Sequence, residues 1–224
     1  SDGNHAFVEN ATDLARIFGY EFDDVLSVVA HEVEVTIRCA PGIRPVRVLG
    51  RPAEIYGGTV VARLNQLYAR QEKFLLIEVR VPPQASGARL EVAAVDVRYA
   101  NTLDRTTDVL GAAAAASFSL SAAEVDLARN DGVLVASVEL LANETNKHAV
   151  ELRDQGRIAE AERMLDDNAA FLEDNARRYK SKKLEERATS NRAAKPKLAD
   201  PYKWNAQRKE MRDNQYETDM QQAF

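Results

Sequence analysis

The stretch "HEVEVTIRCAPG" (31–42) decides how the chain is read. Val33, Val35, Ile37 and Cys39 alternate with Glu34, Thr36 and Arg38, the period of two that marks a strand with one buried face. Ala40-Pro41-Gly42 then closes the strand with turn residues. The opening "HE" is shared with helical zinc sites, but the second histidine four residues on is missing and the period is that of a strand, so no metal site is expected there.

Working outward, the same grammar repeats. Val46 and Val48 begin a second strand, Tyr56-Gly57-Gly58 makes another turn, and "TVVARL" (59–64) follows. In "KFLLIEVRVPP" (73–83) Leu75, Ile77, Val79 and Val81 share one face, and short strands at this spacing predict a β-sandwich. In "RLEVAAVDVRYAN" (89–101) Leu90, Val92 and Ala94 keep one phase while Val95, Val97 and Tyr99 keep the other, so a bulge is expected near Ala93. "GAAAAASFSL" (111–120) sets alanine's helix propensity against its place in the order of strands. Phe118 and Leu120 alternate with serines, so we read a strand whose small side chains admit close approach by another element.

Before residue 31, Asn4 to Glu9 reads as a strand. Asn10 or Thr12 caps a helix predicted over 11–30 with Leu14, Ile17, Phe18, Phe22, Val25, Leu26 and Val29 on one face. After Ala122 the period becomes helical. Leu134, Val138, Leu141, Thr145, His148 and Leu152 step by threes and fours, and Ile158, Leu165, Leu172 and Tyr179 recur every seven residues beyond Gly156. That pattern predicts an antiparallel helical hairpin with His148 as a polar member of its seam. "ELRDQGRIAEAERML" looks like one tetratricopeptide-type helix pair, but no second copy follows at a fixed period. Residues 180–198 carry seven Lys or Arg against Glu185 and Glu186 and are interrupted by Pro196, so a basic linker is expected. The final segment holds the only tryptophan, Trp204, with Met211, Tyr216, Met220 and Phe224, and is expected to dock on its own chain or on a partner.

At 224 residues and 45% hydrophobic content the chain can bury a real core. A formal charge of -5 disfavours a nucleic-acid partner, and no apolar run is long enough to span a bilayer. The single Cys39 excludes an internal disulfide and a thiolate metal cluster. The acidic groups Glu21, Asp23, Asp24 and Asp166, Asp167 lack a calcium-loop pattern, and there is no phosphate-binding glycine loop, nucleophile elbow or Cys-x-x-Cys. These absences point to a protein without enzymatic activity, cofactor or metal. "NAT" (10–12) and "NET" (143–145) match glycosylation acceptors, which matter only in a eukaryotic secretory route.

"DGNHAFVENATDLARIFGYEFDDVLSVVA" (2–30) resembles the last strand and helix of a von Willebrand factor type A domain, in bacterial proteins where a β-rich module follows that domain. "VTIRCAPGIRPVRVLGRPAEIYGGTVVARLNQLYARQEKFLLIEVRVPP" (35–83) is similar to the segment after it: an apolar strand, a P-G-I turn, a V-x-x-L-G strand, and an L-x-x-L run reaching Gln71-Glu72-Lys73 before a long strand. The likeness covers residues 3–120. It implies that the divalent cation of such a domain belongs to a part absent here, with none of its D-x-S-x-S loop in this chain, and that the chain is a piece of a longer protein.

The expectation is thus a mixed α and β chain. Residues 1–30 form the terminal strand and helix of a type A domain, 31–121 an antiparallel β-sandwich, 122–180 the hairpin, and 181–224 a basic linker with a docking tail. The resemblance further implies a protein-interaction or adhesion module of an exported, periplasmic or cell-surface bacterial protein. Its partner is a protein: the rest of its own type A domain or a separate type A chain. The candidate interface residues are Gly42, Gly57, Tyr202 and Trp204. The competing reading is a scaffold that forms homo-oligomers through hairpin and tail, since open strand edges recruit partners.

Overall fold

The computed structural model describes residues 28–221, and the strand and helix expected over 4–30 lie outside them except at Val28–Ala30, which belong to a strand and not to the end of a helix. The chain is a mixed α and β protein whose sheets are antiparallel, and it divides into two compact units at Arg129/Asn130.

The first unit is built on β1 (Val28–Cys39), which pairs with β4 (Thr59–Tyr68) on one side and β6 (Arg89–Asn101) on the other. With β3 (Glu54–Tyr56) and β7 (Thr106–Ser117) outermost, the sheet order is β3-β4-β1-β6-β7. A two-stranded sheet of β2 (Arg44–Leu49) and β5 (Leu76–Arg80) brings Val48 and Ile77 against Ile37, Val60 and Ala93. Two sheets meeting over an apolar layer make the expected sandwich. A second cluster of Ala30, Val33 and Leu64 continues the buried face.

The bulge expected near Ala93 is present, because the β6–β7 register shifts between Glu91 and Ala93. The alanine run is a strand through Ser117, with Ala112 to Ala116 opposite Val95 to Leu90. Ladder hydrogen bonds to β6 outweigh alanine's helix preference of a few tenths of a kcal/mol or less per residue.

Helix α1 (Ala122–Ala128) closes this unit. The second unit holds α2 (Asp131–Asp154), α3 (Ile158–Tyr179), α4 (Lys182–Ala194) and α5 (Pro201–Met220), with a single 3₁₀ turn at Lys195–Lys197. The hairpin of α2 and α3 is there. On α3, Leu165 and Leu172 are buried together with Ala161, Asn168, Ala169 and Ala176, a helical stripe one to two residues wide. The small alanines let α3 lie close to both α2 and α4.

Two expectations are corrected here. Residues 182–194 are not a linker: Ser181 caps a helix whose Leu184, Ala188, Asn191 and Ala194 are buried at helical spacing, with its charged residues on the remaining faces. His148 is not in the seam but exposed beside Glu151, because the buried face of α2 turns through Ala142, Asn143, Ala149, Val150 and Leu152 instead. The tail docks on its own chain. Asp200 accepts from the backbone N–H of Tyr202 and Lys203 to start α5, and Trp204 and Met211 enter the cluster of Val150, Leu152, Leu165 and Leu198.

Leu165→Ala is expected to cost the helical unit about 2–5 kcal/mol, against no measurable change for Leu127→Ala, whose side chain stands in solvent. Urea unfolding followed by the helical far-UV signal checks both.

Candidate interaction surfaces

Gly42 and Gly57 sit in turns at the same end of the sandwich, where the Cys39 N–H donates to the Gly58 carbonyl at 2.8 Å. Gly42 is the third residue of the Ala40–Ile43 turn at φ +86°, after Pro41, and the Ile43 N–H returns to the Ala40 carbonyl at 3.0 Å. Gly57 begins the two-residue β3–β4 turn at φ +59°. Both conformations favour glycine, so both residues have a structural reason to be where they are.

Tyr202 and Trp204 lie in the other unit and differ sharply. Tyr202 is 92% exposed on the first turn of α5, whereas Trp204 is 6% exposed. The Trp204 indole Nε1–H donates to Asp154 Oδ1 at 3.3 Å, the Arg153 guanidinium lies 5.2 Å from the ring centroid, and Arg208 donates to Asp154 at 2.8 Å. Trp204 is therefore a core residue of its own unit and not an interface residue, a correction to the sequence reading. Its apolar body is covered by the chain it belongs to and its polar edge is satisfied.

Two surfaces that the sequence left vague stand out. The first is the outer edge of β7. Among the described residues no strand pairs there, and from Val109 to Ser117 the strand carries no charge. Its side chains are almost all exposed, including Val109 and Leu110. The opposite edge, β3, is three residues long and guarded by Glu54, which lies 3.6 Å from Arg63 and accepts from the Tyr56 hydroxyl at 2.9 Å. Only one of the two edges is built to discourage pairing.

The second surface is a cleft of about 290 Å³ in the helical unit, lined by residues of α2, α4 and α5 that include Asn143, Asn146, Lys183, Arg187, Asn191 and Gln215. A chain of amides runs beneath it. Asn168 Nδ2 donates to the Ala142 carbonyl at 2.9 Å and to Asn146 Oδ1 at 2.8 Å, and Asn146 Nδ2 donates to Asn191 Oδ1 at 2.9 Å. Asn143, the acceptor residue of "NET", is buried and donates to the Gln215 carbonyl and to Asp219, so the fold withholds that sequon from modification. Buried Glu139 accepts from Arg187 at 2.8 Å and lies 3.0 Å from Lys183.

Asp166, one of the acidic residues noted in the sequence, is engaged by basic groups. Asp166 bonds Lys195 and receives Arg192 at 3.0 Å, while Arg192 also reaches Glu173 at 3.1 Å, a network tying α3 to α4. Among the described residues no group of three His, Cys, Asp or Glu side chains is disposed to hold a metal ion, and no helix is long and apolar enough to cross a membrane.

No family model matches the chain. Over 70 residues it is 37% identical to the E3 ubiquitin-protein ligase WAV3 of Arabidopsis thaliana, a match spanning 29% of this chain and 10% of that protein. The solved structure of the von Willebrand factor type A protein from Catenulispora acidiphila aligns with 94% of this chain and 51% of its own length, with TM-score 0.60 and 11% identity. A second, the ArnB paralog VWA2 from Sulfolobus acidocaldarius, aligns with 82% of this chain and 42% of its own at 16% identity and TM-score 0.43. The chain thus shares its fold with part of a type A protein, and spans about half the length of that structure.

The Lys195 ammonium, followed by Arg192, holds the Asp166 carboxyl below its ordinary value of 3.8, and Arg192 does the same to Glu173, ordinarily 4.5. The Lys203 and Tyr202 N–H groups lower Asp200 likewise. Each binds its proton less readily folded than unfolded, so its contribution is whole above the unfolded value and drains away as pH falls through the depressed folded one. The melting temperature of the helical unit is therefore expected to fall on acidification below about pH 4, and to fall less steeply in Lys195→Met; an unchanged slope in that variant would remove the ion network from the account.

Proposed function

We propose that the chain is a non-enzymatic protein-interaction module whose partner adds an extended strand to β7. The observation that carries this reading is the contrast between the sheet edges: β3 is short and charged, β7 is twelve residues long, uncharged beyond Asp108 and open among the described residues. Main-chain hydrogen bonds along such an edge supply affinity, and the small side chains of Gly111 to Ala116 leave room for the partner's own. The likeness to a type A protein is in keeping with a binding role. In this reading the module belongs to an exported, periplasmic or surface protein of a bacterium and serves adhesion. Any divalent cation is held by the part of a type A domain outside this chain, and the partner strand comes from that domain or from a separate protein, not from nucleic acid.

The test is a photo-reactive p-benzoylphenylalanine in place of Ala113, in cells making the protein. The reading expects an adduct with another protein, or with a different region of its own longer chain, that is lost when Ala115→Lys places a charge on the edge. An adduct only between β7 strands of two copies would transfer the case to the self-associating scaffold, and no adduct at all would remove β7 as the binding edge.

A further inference from the structure

Every second residue of β7 has its backbone turned to the open side. The Cys39 N–H donates to Gly58 on one side of β1 and the Ala40 N–H to Val92 on the other, at 2.8 and 3.0 Å. Arg38 and Thr36 therefore bond toward β6, through their partners Ala94 and Asp96, which leaves Val95 and Val97 to bond β7 at Ala112 and Leu110. Phe118 keeps the same parity, donating to Ala88 at 3.0 Å. The residues between, Val109, Gly111, Ala113 and Ala115, point their N–H and C=O groups outward.

The two faces beside this edge differ in chemistry. Leu110, Ala112 and Ala114 share the face of Val97, Val95 and Ala93, which belong to the apolar clusters of the sandwich. Val109, Gly111 and Ala113 share the face of Arg98, Asp96 and Ala94, where Asp96 pairs with Arg38 and Glu34 accepts from Arg63 at 3.0 Å. That face carries charges of both signs, so it calls for polar neighbours without selecting a sign. From Gly111 to Ala116 no side chain of β7 extends past Cβ, which brings large side chains on an added strand within reach of those of β6. Leu110 is the one large apolar side chain that β7 places on the core face, and it is 58% exposed although buried Ile37 and Val60 lie on that same face. The apolar layer is thus open on this side among the described residues. A run of identical alanines gives a partner no register, whereas Leu110 does.

We propose that the strand accepted by β7 is one-sided: large aliphatic or aromatic residues at every second position, set on the face of Leu110, Ala112 and Ala114, with polar residues between them against the charged face. Leu110 is the specificity-determining residue. The inference rests on β7 being the binding edge and adds the sequence pattern by which a partner is chosen. A uniformly apolar segment would set aliphatic side chains against Asp96 and Arg98, and a uniformly polar one would leave Leu110 uncovered.

The experiment titrates the full chain, labelled with nitrogen-15, and follows the backbone amides of Val109–Ala115. The probes are two acetylated and amidated peptides of one composition, drawn from Val, Leu, Thr and Lys. In the first the aliphatic residues alternate with Thr; in the second they stand in adjacent pairs, so that they divide between both faces. The inference expects saturable shifts that include Val109, Gly111, Ala113 and Ala115, with the alternating peptide binding about tenfold more tightly, the effect of 1.4 kcal/mol. Leu110→Lys should weaken the alternating peptide by about the same factor, and Leu110→Met, which keeps an apolar side chain, should stay within about twofold of the parent. Equal binding of the two peptides, or Leu110→Lys binding as well as Leu110→Met, overturns the inference while leaving β7 as an edge that takes any strand. No saturable shift with either peptide removes the edge itself, and the inference with it.

Discussion

A buried polar group needs a partner, and the helical unit is arranged around that constraint. Asn168 sits in the apolar stripe of α3, where a leucine would otherwise continue the row of Leu165 and Leu172. Its amide is accommodated because the Ala142 carbonyl and Asn146 lie across from it, and Asn146 in turn engages Asn191 of α4. The relay joins three helices through groups that only one relative placement satisfies. Apolar contacts between alanine-lined faces could slide by a turn; a chain of amides keyed to one carbonyl cannot do so without leaving donors stranded. Position along the helices is therefore set by hydrogen bonds, while most of the stabilisation comes from the buried leucines, Trp204 and Met211.

The sandwich unit poses the same question in backbone form. β1 is satisfied on both sides, by β4 and β6, and β6 by β1 and β7. The ladder ends at β7 among the described residues. An edge made of Val109, Leu110, Gly111 and five alanines has neither the lysines nor the proline with which edges are usually blunted, and the β3 edge shows that this sheet can be guarded. Among the described residues, hydrogen-bonding capacity is thus left unspent at the outer edge of β7 and, inside the helical unit, at Asn191 Nδ2 and Gln215 Nε2.

How much of this the sequence displays depends on how each signal is carried. Alternation in β1, β5 and β6 is written in side-chain polarity and is legible, as are the bulge beside Ala93 and the seven-residue recurrence on α3. The strand nature of Gly111 to Ser117 emerges only by weighing position in the fold against alanine's local preference. Helix α4 is concealed by composition: lysines and arginines on its outer face dominate residues 180–198, although Leu184, Ala188, Asn191, Ala194 and Leu198 already keep helical spacing. The reading of His148 failed because α2 is buried along more than one line, by α3 and by α5, so that a single stripe does not describe it. Trp204 was recognised as a residue that must dock, but a sequence does not say on whose surface. The amide cleft has no local signature at all, its residues coming from three helices; the trace it leaves is an asparagine at position 168 in an otherwise apolar row.

Residue-resolved backbone hydrogen exchange on the full chain, without any added partner, tests the open edge most directly. β7 should show two interleaved classes of amide from Val109 to Ala116: alternate N–H groups protected by β6, and the others exchanging fast enough to mark them as unpaired. Uniform protection along the strand would mean that its outer edge is already covered within the chain, and would contradict the account of β7 as the surface held ready for a partner.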